Sequence, residues 1–227
     1  MLRPARVPAL LSVALSVIGW MPAPTAAAVD WQVARVRVNG VPLELRSGDL
    51  AVAQSALVAA IASRWQGADG QPPDTAVSRS TLADGQVVFG RQRGHLHETV
   101  TLRPHGSGRT RVLVAVNDLG AAATPPARPP VRLPAGQRLL QVVEHGDGRV
   151  APRTFTISSG NGPQVALSQW RSALTAAGWS LRSVGPTGGG PRAWLLWADR
   201  GHERLDAAFI HARDGARVVL QVSGDAP

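Results

Sequence analysis

Along residues 31–38, Ala34, Val36 and Val38 alternate with Arg35 and Arg37, the period of a strand with one face in a core. Asn39-Gly40 follows, two residues that tolerate positive φ, so a tight hairpin is expected to return through residues 41–46. Pro42 cannot donate to a ladder, which places the returning strand at an edge or delays its pairing until after the proline. Ser47, Gly48 and Asp49 then read as the cap of a helix. Its apolar stripe is Val52, Ala53, Ala56, Leu57, Ala60 and Ile61, and it ends near Trp65. Residues 66–80 carry Gly67, Gly70, Pro72 and Pro73 and read as a polar loop. Alternation returns over residues 86–91, 96–103 and 109–117. In the middle run Leu96, Val100 and Leu102 share one face, while His97, Thr99, Thr101 and Arg103 share the other, so one face of this sheet should be wet.

Residues 120–136 change to alanine and proline, the composition of a semi-rigid linker or an extended strap. The pattern then starts again. A hairpin over residues 138–144 and 149–157 turns at Gly146-Asp147-Gly148, and a helix over residues 163–177 opens on Pro163 and stops at Gly178. Strands follow at 193–198, 202–212 and 216–223.

The order of elements is therefore duplicated, and short strings repeat with it. Arg93-Gly94-His95 precedes a strand beginning Arg111-Val112-Leu113, and Arg200-Gly201-His202 precedes one beginning Arg217-Val218-Val219. Each helix ends near a tryptophan, Trp65 or Trp179. Two copies make a duplication and not a solenoid. The expected architecture is α+β: two duplicated modules, each a single helix packed on an antiparallel sheet in β-β-α-β-β-β order, at residues 29–119 and 137–227 on either side of the 120–136 linker. Trp194 and Trp197 fall on opposite faces of one strand, which makes that strand the expected seam between the modules or a face that a partner hides.

Residues 1–28 stand outside this pattern. Arg3 and Arg6 precede an apolar run that ends in prolines and Ala26-Ala27-Ala28, the order of a secretory signal, with cleavage expected near Ala28 and a retained anchor as the alternative. The expected location is periplasmic or secreted, with no transmembrane anchor after cleavage. The chain has no cysteine, which removes disulfides, thiolate chemistry and lipid attachment through a thiol. All 24 basic residues are arginine, and losing the leader lowers the net charge from +9 by two. The arginines are scattered, never in a block, so no nucleic acid is expected as a partner; an envelope protein or an anionic envelope polymer fits better.

Signals for catalysis are weak. No Gly-x-Ser-x-Gly occurs, and the glycine-rich residues 185–190 lack the lysine of a phosphate loop and precede a strand. His95, His97 and His105 form the only arrangement resembling a metal-binding cluster, and the second copy replaces the His97 position with Arg204. The expectation is a protein without catalytic activity, metal or cofactor, working in a cell-envelope assembly such as a secretion or pilus-like system. Binding of an anionic polymer is the first alternative and a metal-dependent hydrolase the second. The candidate binding residues are the matching hairpin tips: Arg93, His95 and His97 in the first copy, Arg200, His202 and Arg204 in the second.

Overall fold

The computed structural model describes residues 30–65, 77–146, 152–186 and 193–224. The leader, the 66–76 stretch and most of the glycine-rich 185–190 segment lie outside the described residues, as does much of the turn at Gly146-Asp147-Gly148. Trp31–Pro227 forms one compact unit.

The strands are β1 (Gln32–Val38), β2 (Val41–Leu50), β3 (Val77–Thr81), β4 (Val87–Arg93), β5 (Leu96–Pro104), β6 (Thr110–Asp118), β7 (Gln137–His145), β8 (Arg153–Ser159), β9 (Ser180–Pro186), β10 (Ala193–Arg200), β11 (Glu203–Ala212) and β12 (Gly215–Ser223). Helix α1 (Gln54–Trp65) follows β2, and α2 (Pro163–Ala176) follows β8. The strands make one open antiparallel sheet of twelve, in the order β3-β4-β5-β6-β2-β1-β7-β8-β12-β11-β10-β9. Each half has the same path, and the halves meet where β1 lies against β7.

This corrects the expected fold class. The protein is mostly sheet, and two helix-on-sheet α+β modules are not what the chain forms. Two strands escaped the sequence pattern, β3 and β9, and both are outermost, where a strand needs no apolar face of its own. The seam also differs from expectation: it is β1 against β7, with Val36, Arg37 and Val38 opposite His145, Glu144 and Val143. Asn39 reinforces it, donating its backbone amide to the Val142 carbonyl at 2.8 Å and accepting the Val142 amide on Oδ1 at 2.9 Å. It does so from the tight turn at positive φ (52°), beside Gly40 at 82°. Pro42 lies opposite Arg37 in an interior strand, and the ladder from β2 to β6 begins one residue later, at Leu43.

Register assigns the faces. Thr110, Val112 and Val114 of β6, Val100 and Leu102 of β5, and Val87 and Phe89 of β4 face α1, which buries Leu57, Ile61 and Trp65 against the sheet. Phe155, Ile157, Leu205, Phe209, Val218 and Leu220 face α2, with Leu167, Trp170 and Leu174. Continuous pairing through β1 and β7 puts both helices on the same side. Residues 119–136 run as a strap on that side too. Thr124 donates to the Gly40 carbonyl, Ala127 donates to the Glu144 carboxylate at 3.1 Å, and Val131 and Leu133 pack on the second-half core. Among the described residues no helix or strap lies over the opposite face, which we call the open face.

Candidate functional site

The predicted hairpin tips fall into two separate places. β4 and β10 run in opposite directions, so the turns that follow them lie at opposite ends of the sheet. Six strands stand between β5 and β11, a separation of about 30 Å or more at the usual strand spacing. Arg93, His95 and His97 therefore share one hairpin and Arg200, His202 and Arg204 another, and the structure does not bring the two sets together.

Within the first hairpin the residues diverge as well. Arg93 is exposed at the end of β4, opposite Leu96. His95 sits in the turn with Nε2 3.7 Å from Asp118 Oδ1, and Gly120 leaves no room for a Cβ beside its ring. His97 points to the open face between Gln92 and Asn117. Glu98, one residue on, is buried on the helix side, where its Oε2 accepts from Arg91 Nη2 at 2.6 Å and Arg91 lies 4.4 Å from the centre of the Trp65 ring. No group of three or more His, Asp or Glu suited to a metal ion occurs among the described residues.

In the second hairpin Arg200 has a structural task. Its Nη2 donates to the buried Glu203 at 2.7 Å and its guanidinium stacks 4.7 Å from the Trp179 ring centre; Arg153 reaches the same carboxylate at 3.4 Å. His202 is exposed in the turn, with its carbonyl packed against Gly224. Arg204 points to the open face and pairs with Asp206 at 3.2 Å. The two halves thus repeat a motif that the strings did not show: a tryptophan at or just past the end of the helix, an arginine on its ring, and a buried glutamate paired with that arginine across a hairpin.

The open face of the second half holds the residues that reading the strings missed. Trp194 belongs to the core side, while Trp197 and Leu195 point to the open side. Leu195, Ala208 and Val219 are opposite one another on β10, β11 and β12, all half-buried, and Ile210 next to them is 41% exposed. At the end of this apolar band Arg217 of β12, Ser158 of β8 and Arg138 of β7 stand side by side. The matching place in the first half is closed by an ion pair: Asp49 accepts from Arg111 Nε and Nη2, each at 2.9 Å, and this contact holds the Asp49 carboxyl below its ordinary pKa. Asp49 does not cap α1 as its position in the sequence suggested; it lies within β2, which runs on to Leu50. Setting the two closing strands side by side in register, and not only matching their strings, exposes this difference.

No family model, curated protein or solved structure matches the chain.

Proposed function

We propose that the protein is a non-catalytic binding protein of the periplasm or the exterior, which takes up a protein partner on the open face of its sheet. One observation carries the reading: both helices and the strap lie on one side, and the other side presents Trp197, Leu195, Val219 and Ile210 as a band across adjacent strands. A sheet face of this kind loses apolar surface to water unless something covers it, and aromatic residues on such faces are frequent anchors of recognition. An anionic polymer is the weaker reading, because Arg46, Arg111, Arg182, Arg200 and Arg204 are each engaged by a carboxylate of the chain itself. Export is the part of the proposal that rests on the leader sequence. Among the described residues no helix is long and apolar enough to cross a membrane.

Photo-crosslinking side chains placed at Thr156 on the open face and at Ser172 on the outer side of α2 provide the test. In intact cells the first should give a discrete adduct with one protein and the second none. Adducts of equal yield from both positions, or retention on heparin with a steep salt dependence and no protein adduct, would replace this reading with the polymer one.

A further inference from the structure

We propose that the corner formed by Arg138, Ser158, Arg217 and Ile210 receives an acidic side chain of the partner, followed by apolar residues that continue along the band toward Trp197. This rests on the open face being the partner surface, and it names the chemistry of what binds there.

The protein supplies its own precedent. Arg111 and Arg217 hold the same place in the two halves, each one residue beyond a buried pair, Thr110 with Leu50 in one half and Ala216 with Ser159 in the other. The residue opposite Arg111 is Asp49, and the guanidinium takes its carboxylate at two points. The residue opposite Arg217 is Ser158, neutral and shorter. Beyond Ser158 stands a second arginine, Arg138. The Ser158 hydroxyl turns to the Arg138 carbonyl at 3.4 Å and engages neither guanidinium. Neither Arg138 nor Arg217 has an ion-pair partner among the described residues. The neighbouring acids are Asp214, exposed in the turn before β12, and Asp206, which Arg204 engages. Two arginines on either side of one strand start about 10 Å apart at the backbone, a span their side chains close around a single carboxylate.

The neighbour of Arg217 decides for a peptide over a bare anion. Opposite it stands Ile210, where the first half has Arg103 opposite Arg111. The apolar band continues from Ile210 through Ala208, Val219 and Leu195. A phosphate or sulfate ester gains nothing from that band, whereas an acidic residue followed by apolar ones uses both parts. The first half has the cation but has already filled the place, so the site exists once per chain.

The test is a backbone amide NMR titration of the full chain with three probes: acetyl-Glu-Leu-Leu-amide, its Gln counterpart and inorganic phosphate. The Glu peptide should shift the amides of Ser158, Arg217, Ile210 and Leu195 in the millimolar range, with the Gln peptide weaker by roughly tenfold, the scale of one charge-assisted contact. Ser158→Asp supplies the carboxylate internally, as the first half does, and should remove that advantage without lowering the thermal midpoint; Arg138→Gln with Arg217→Gln should remove it as well. Equal shifts from the Glu and Gln peptides along Leu195 and Trp197 would overturn the acidic contact and leave the open-face reading standing. Phosphate binding as tightly as the Glu peptide would overturn the peptide and make this a plain anion site. No shift on this face with any probe would overturn both.

Discussion

Beneath α2 the sheet is filled by Trp170, Phe155, Phe209, Leu174, Leu196, Leu205 and Leu220, all fully enclosed, and the strap closes their side with Val131 and Leu133. Beneath α1 the interior is smaller, and part of it is the buried pair of Arg91 and Glu98 under Trp65. The matching tryptophans, Trp65 and Trp179, both bury Nε1 without a hydrogen-bond partner, but the second half adds Trp170, which donates Nε1 to Gln137 at 2.7 Å. One strand path thus accommodates two interiors: both hold a buried glutamate paired with an arginine on a tryptophan ring, but in the first half both members of the pair are enclosed, whereas in the second Arg200 is one-third exposed at the rim of a larger apolar core. The open faces differ at one matching place: the first half pairs Arg111 with Asp49, whereas the second leaves Arg217 and its neighbour Arg138 without a carboxylate among the described residues. On the proposed function, stability and recognition fall on opposite sides of the second half, so each can be changed separately.

Replacing the enclosed rings should separate the interiors most strongly. Trp170→Ala is expected to cost about 3–5 kcal/mol in urea unfolding, and Trp65→Ala less. The reverse order would show that the first half is the better packed. Next comes the buried pair. Glu98→Ala leaves the Arg91 guanidinium enclosed and should cost about 3 kcal/mol, while changing both residues to apolar ones of similar volume should restore most of the loss. A double variant as unstable as the single one would mean that the pair is needed for more than its own neutrality.

The strap contact is the third test. A Cβ on Gly40 would lie 1.9 Å from the Thr124 carbonyl oxygen, and its φ is 82°. Gly40→Ala should therefore cost about 2 kcal/mol and speed hydrogen exchange at Thr124 before it affects the α2 core. Exchange rising first in α2 would show that the strap is bound by its second-half contacts alone. The smallest effect is on the surface. Ser158→Asp should add well under 1 kcal/mol, about what an exposed ion pair supplies. Asp49→Ser should weaken the first half in full above the ordinary carboxylate pKa of 3.8 and progressively less below it: the Asp49 pKa is lowered by Arg111, so its contribution is present at neutral pH and is lost as pH falls through the lowered value. A stability gap between wild type and Asp49→Ser that persists in acid would remove the ion pair as its cause.

Much of the local structure could be read from residue types. Asn39-Gly40 makes the turn expected of it, Pro163 and Gly178 stand at the start and just past the end of α2, and Trp194 and Trp197 divide between the two faces as parity requires. What stayed hidden depended on partners distant in sequence. The half-exposed alternation of β1 looks the same whether its outer edge meets water or β7, so nothing in it announced that two halves share one sheet. Val77–Thr81 has a single apolar residue, and its strand exists because β4 pairs with it. Asp49 resembles a cap until β6 places Arg111 opposite it. The hairpin arginines and histidines repeated in sequence, but repetition through a two-fold arrangement sends the copies to opposite ends of the sheet.

Among the described residues a sheet of twelve strands still has two unpaired margins, and a flat margin invites another chain to continue it into a filament. β3 offers five residues, four of them exposed and polar, with Arg79 drawn inward over the Phe89 ring. β9 pairs with β10 through a shift of register at Trp197 and Ala198. A short polar margin on one side and an uneven one on the other give an incoming strand little to pair with, which disfavours continuation of the sheet from molecule to molecule.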